Sequence, residues 1–370
     1  MKRIAICIVL LAVVACSPSG PEQIHLRACP DGQQPLHIAA VDLNGDDIDQ
    51  LVVSCAGTQH GALRVFSVDT QGALKSGQTM HFDHGVIGTA AWPRVDGRED
   101  LVIAGSTPRE RSLHYTQLDE AGQLTEPVQI HSGLGEITQM VISDVDGDSN
   151  PDIVMPGIDV WLENSGSDGR PGPFRSQPIE PGIEWRRVFG RMGHRAEQAR
   201  PAGTYIRQEH QSVRVFSRIG IEDFAIGMET ERLFEVLAAG DLNGDGIPDL
   251  VVTVQSAPVE NRLHFLLSSD SEHWQLTGQI GDLLNPASVI LDDYDGDGRT
   301  DLLMAPIAMP DQEKYSLRLV SGISGEDHDG AREIPVSGFP YRMIPIRIGS
   351  GAPAVAFIDQ VENRFNVLRW

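Results

Sequence analysis

Four short acidic stretches recur along this chain at multiples of about fifty residues, and that recurrence constrains the fold more than any other feature. The clearest, "GDLNGDGIPDLVV" at 240–252, sets Asp241, Asn243, Asp245 and Asp249 close together and then runs into Leu250, Val251 and Val252. Its relatives are "VDLNGDDIDQLVV" from Val41, "SDVDGDSNPDIVM" from Ser143 and "DDYDGDGRTDLLM" from Asp292. The first acids of the four are Asp42, Asp144, Asp241 and Asp293, so two of the three intervals are about twice the shortest. A period near 50 predicts further, worn copies in the gaps. Near residue 92, "AAWPRVDGREDLVIAG" keeps Asp96-Gly97 and Asp100 but has Trp92 and Arg94 in place of the first acids. Near 346, "PIRIGSGAPAVAFID" keeps Gly351, Pro353 and the apolar run. Near 190 only strand-like flanks and the spacing remain. Seven units start near 42, 92, 144, 190, 241, 293 and 346.

Each unit has one grammar. An apolar run such as Leu233 to Ala239 leads into the acidic loop, a β-branched run such as Leu250 to Val254 follows, and two more strand-like segments complete it. Four short strands separated by Gly, Pro, Asn and Asp, repeated in a fixed register, read as a blade of a β-propeller. The expected fold is all-β: a seven-bladed β-propeller forming one domain over 23–370. The last unit supplies only three strands before Trp370, while an extra strand, "QIHLRAC" at 23–29, precedes the first unit. Pairing the two would complete the seventh blade and cover two exposed edges.

Counted from its first acid, the loop at 241 places Asp241, Asn243, Asp245 and Asp249 at positions one, three, five and nine. Ile247 at position seven can offer only its backbone carbonyl. An oxygen-only set of this kind suits a hard cation taking six to eight oxygens, calcium rather than magnesium; without His or Cys it does not suit zinc or copper. An EF-hand would need Glu at position twelve and flanking helices, but position twelve is Val252 inside a strand-like run. Asp and Gly also make plain polar turns, which is the alternative for any single copy.

With these residues the chain resembles the FG-GAP or VCBS repeat family, found in integrin α-subunit propellers and in many bacterial exported proteins. The resemblance covers 36–370 and implies a nine-residue calcium loop between the first two strands of a blade. Carried over by position, it implies three metal sites: Asp144, Asp146, Asp148 and Asp152; Asp241, Asn243, Asp245 and Asp249; Asp293, Asp295, Asp297 and Asp301. The first unit has Asp42, Asn44 and Asp46 but Gln50 at position nine, so a fourth site there should be weaker or empty. Such a site is expected to be structural, pinning a turn.

The N-terminus implies export. Lys2 and Arg3 precede an uninterrupted apolar run from Ile4 to Ala15, too short to span a bilayer as a mature helix but suited to a signal-peptide core. "VVAC" at 13–16 resembles a bacterial lipobox, with 1–15 as signal peptide, Cys16 as the lipidated residue and 16–22 as tether. Attachment to a bacterial membrane follows, the outer membrane in a Gram-negative cell given Ser17. With Cys7 removed and Cys16 lipidated, Cys29 and Cys55 remain: one disulfide, or two separate thiols.

A formal charge of −23 argues against nonspecific nucleic-acid binding. Arg186, Arg187, Arg191, Arg195 and Arg200 replace the acidic loop of unit four, either as a partner-docking patch or as a solvated insertion. "MHFDHG" gathers His81, Asp83 and His84, a second metal candidate or simply a strand end. No catalytic motif is present, and the units leave no separate catalytic domain. The expected function is a monomeric, non-enzymatic module recognising a protein or glycan. The alternative is an exported polysaccharide lyase or hydrolase with its site in the channel.

Overall fold

The computed structural model describes residues 21–370 apart from the stretches 179–204 and 226–232 and short loop positions (58–59, 69–72, 108–109, 136–139, 144–147, 149, 156–159, 167–168, 210–211, 218–219, 248, 257–259, 269–273, 285, 307–314, 327, 329 and 349–353). The expected signal peptide, Cys16, the arginines of 186–200, Asp144 and Asp146 therefore lie outside the described residues.

The described residues form seven antiparallel sheets and no helix. Sheets one, two, three, five and six each contain four consecutive strands, within 34–82, 85–134, 141–178, 233–284 and 286–336; sheet four shows three, within 205–225. Chain order equals spatial order inside each of these sheets, the up-and-down meander of a propeller blade.

The apolar run after each acidic loop is now explained. In sheet six the second strand, Asp301–Pro306, sends Leu302 and Met304 into a core shared with sheet five. Leu303 and Ala305 enter a second core, shared with sheet seven. In sheet two Leu101 and Ile103 pack toward sheet one, Val102 and Ala104 toward sheet three. Alternate side chains of a strand face opposite ways, so a strand buried between two neighbours must be apolar at every position. Each fully buried aliphatic side chain of this kind contributes about 1.5–3 kcal/mol. The outermost strands are wetter: Leu74–Phe82 buries only its last residue.

Closure follows the sequence expectation, with the strand at 22–27 rather than 23–29. Strand Glu22–Arg27 pairs antiparallel with Arg364–Arg369, so sheet seven takes its outer strand from the N-terminal end. Ala28 N–H donates to Asn363 O (3.0 Å), and Cys29 N–H donates to Asn363 Oδ1 (3.1 Å). Cys29 and Cys55 form a disulfide, with Cα atoms 5.6 Å apart. It sits in the core shared by sheets seven and one, where Phe66 meets Phe365 edge-on at 4.6 Å.

Candidate metal-binding loops

In sheets one, five and six the first two strands end in the pairs Val41↔Gln50, Gly240↔Asp249 and Asp292↔Asp301, so the acidic loops are the turns between those strands. The position-one carboxylate organises each turn. Asp293 Oδ1 accepts the N–H groups of Gly296 (2.7 Å) and Asp297 (3.1 Å), and Oδ2 accepts that of Gly298 (2.9 Å). Asp241 takes the N–H groups of Gly244, Asp245 and Gly246 at 2.6, 3.1 and 2.9 Å. Asp42 takes those of Gly45, Asp46 and Asp47 at 2.8, 3.2 and 3.0 Å. To curl around its own first side chain the backbone must turn left-handed at positions four and six, at φ +77° and +82° for Gly296 and Gly298.

That curl brings the odd-numbered side chains together. One carboxylate oxygen from each of Asp293, Asp295 and Asp297 lies within 4.8 Å of the others. Arg299 pairs with Asp297 through Nη2 (2.6 Å) and Nε (2.9 Å), so the like charge is only partly balanced by the chain. Asn243 and Asp245 also sit side by side, with Asn243 Nδ2 donating to Asp245 Oδ2 at 2.9 Å. The donors are all oxygen, hard and convergent; these residues fit a calcium ion, which would add folding energy at the turn.

Position nine anchors the turn. Asp301 is fully buried: Oδ2 accepts the N–H groups of Tyr294 (2.9 Å) and Asp295 (3.1 Å), and Oδ1 that of Gly322 (2.7 Å). Burial raises its pKa and the charge of Asp295 adds to this, against the lowering effect of the three N–H groups. Buried Asp249 accepts Leu242 N–H (2.9 Å) in the same way. In sheet three Asp152 accepts Asn164 N–H (2.8 Å), while exposed Asp148 accepts the backbone N–H of Asn150 (2.7 Å) and its Nδ2 (2.9 Å).

Sequence reasoning missed position eight. Thr300 Oγ1, in the loop of sheet six, donates to the carbonyl of Asp241 (2.6 Å), position one of the preceding loop. Glu99 N–H donates to Asp42 O (2.8 Å), and Asp42 N–H returns a bond to Glu99 Oε2 (2.8 Å). Asp49 exchanges bonds with the backbone of Arg347 in sheet seven, at 3.0 and 2.7 Å. The residue type varies (Thr, Glu, Asp), so no motif marks the link, yet it chains neighbouring turns along one face.

His84 stacks on His114 at 5.0 Å, whereas His81 and Asp83 are exposed. Ser112 Oγ lies 2.9 Å from His114 Nε2. Burial lowers the pKa of His114, the charge of His84 lowers it further, and Asp83 opposes both. A depressed histidine contributes stability that is present above its ordinary value near 6.5 and lost as pH falls through the folded value. Thermal melts across pH 7 to pH 5 should therefore show less acid loss in His114→Gln than in the parent. Parallel profiles would contradict the pairing.

Residues 237–304, which contain the loops of sheets five and six, match the FG-GAP-like repeat model. No curated protein matches the chain. Among solved structures, BBS1N in complex with ARL6DN is similar over 94% of this chain and 95% of that one, at 9% identity and a TM-score of 0.54. A Lactobacillus plantarum protein is similar at 15% identity over 82% and 84% of the two chains, with a TM-score of 0.47. KlHsv2 with a replaced loop is similar at 12% identity over 88% and 89%, also with a TM-score of 0.47. The meander sheets and the cores shared between neighbours make the fold a β-propeller, and residues 237–304 match the FG-GAP-like repeat family.

Proposed function

We propose that this chain is a calcium-stabilised, seven-bladed propeller lipoprotein of a bacterial envelope that binds a protein or glycan and catalyses nothing. The observation that carries the calcium reading is the convergence of Asp293, Asp295 and Asp297 inside a matched FG-GAP-like repeat. "VVAC" at 13–16 supports lipidation at Cys16, which would hold a monomeric propeller at the outer membrane of a Gram-negative cell. A fold that spends its acids on turns leaves its loops free for recognition, and the net charge of −23 disfavours nucleic acid as the ligand.

Calcium titration of the lipid-free protein is expected to give about three equivalents bound through the loops at 144, 241 and 293, a count set by their ligand sets. Asp245→Ala should remove one equivalent. A protein that binds no calcium overturns the metal reading. Screening the same protein against glycan and envelope-protein panels tests the binding role; steady cleavage of a polysaccharide would replace it with an enzymatic one.

A further inference from the structure

Among the described turns, those of sheets one and two carry a nitrogen-bearing side chain at a position where the loop of sheet six carries an acid: Gln50 at position nine and Arg94 at position three. Counted back from buried Asp100 as position nine, the turn of sheet two has Arg94 at position three, Asp96 at five and Arg98 at seven. Arg98 grips Asp96 (Nη2 to Oδ2, 2.7 Å) as Arg299 grips Asp297, so the two turns match there. Position three does not match. Where sheet six has Asp295, sheet two has a guanidinium whose Nε lies 3.3 Å from Asp96 Oδ1 and whose Nη1 lies 3.2 Å from Asp100 Oδ2. Arg94 Nη1 also reaches Gln117 Oε1 (3.4 Å), and the Tyr115 hydroxyl donates to Asp100. A planar cation thus bridges the carboxylates of positions five and nine, the geometry for which Arg is suited.

In sheet one the substitute is an amide. Gln50 Oε1 accepts Leu43 N–H (2.8 Å), as Asp249 Oδ2 accepts Leu242 N–H in sheet five. The other end of Gln50 then has a hydrogen to give: Nε2 donates to Ile48 O (3.0 Å), the carbonyl at position seven. In the acidic loops the position-seven carbonyl is the one backbone oxygen that the repeat pattern would offer to a cation.

We propose that the turns of sheets one and two are closed by the chain's own nitrogen groups, the Gln50 amide and the Arg94 guanidinium, and take no metal. Metal dependence is then confined to the turns that keep carboxylates at positions five and nine and a carboxylate or Asn at position three, and the propeller has a metal-independent sector joined to a metal-dependent one. The half of this concerning sheets five and six rests on the calcium reading above; the Arg94 half does not.

Hydrogen exchange of the mature full-length protein, read peptide by peptide with calcium and with chelator, tests both. Peptides over 42–50 and 92–101 should exchange equally in the two conditions, while those over 241–249 and 293–301 should exchange faster in chelator. A chelator response at 42–50 or 92–101 equal to that at 293–301 overturns the proposal. Absence of any response at 241–249 and 293–301 overturns the calcium reading instead, and Arg94 is then judged in chelator alone. There Arg94→Ala should speed exchange at 92–101 by about tenfold, because Asp100 loses its charged partner, and Arg94→Lys should recover part of the protection. Unchanged exchange in Arg94→Ala overturns the assignment. Gln50→Asp should add one calcium equivalent and make 42–50 sensitive to chelator; no added equivalent overturns the amide's role.

Discussion

Stripping divalent cations from the protein with a chelator is expected to lower its melting temperature by roughly 10 °C. A ligand at 100 times its dissociation constant stabilises the folded state by about 2.7 kcal/mol, so three occupied loops supply ~8 kcal/mol. A domain spanning about 350 residues, 21–370, unfolds with an entropy of ~0.7 kcal/mol/K, which converts that loss into the stated shift. Asp249→Ala should shrink the chelator response by about a third, since it disables one loop of about three. It should also lower the melting temperature of the chelated protein, because Leu242 N–H loses its buried acceptor, a cost of about 1–3 kcal/mol. Differential scanning calorimetry separates the two effects. Overlaid traces with and without chelator would end the calcium assignment.

The second large effect belongs to the closure. Replacing both Cys29 and Cys55 by Ala is expected to cost about 3.5 kcal/mol, from the loop entropy of a crosslink spanning 26 residues. At ~0.7 kcal/mol/K this is a fall of roughly 5 °C. The loss should appear first at the outer strand of sheet seven, where amides of 22–27 would exchange as the edge frays. Reductant on the parent should reproduce the double variant, and a melting temperature unmoved by either treatment would show that the ladder Glu22↔Arg369 to Arg27↔Arg364 closes the ring without the bond.

The features legible in the sequence were those that repeat. Asp293, Asp295 and Asp297 share a loop because the backbone curls around Asp293, and the Gly residues that allow the curl recur with the acids. The orphan strand before unit one was legible because unit seven lacked one. Loss of a motif was harder to read. Arg94 looks like decay of an acidic loop until its guanidinium is seen between Asp96 and Asp100, and Gln50 looks like a weakened ligand until its amide is seen on Ile48 O. The ties made by Thr300, Glu99 and Asp49 join residues from different units, a relation that local spacing does not carry.

The pairing of Glu22–Arg27 with Arg364–Arg369 sets a timetable for the nascent chain. Synthesis at about 5–20 residues per second leaves the first strand without its partner for roughly 20–70 s. Cys55, in contrast, follows Cys29 within roughly 1–5 s at that rate and meets it through a short loop. In an oxidising compartment entered N-terminus first, oxidation can therefore precede closure, parking the unpaired strand beside sheet one as the other sheets stack in order. The crosslink then serves as a place-holder during assembly: it keeps a sticky edge near the site where its late partner will dock and away from neighbouring chains.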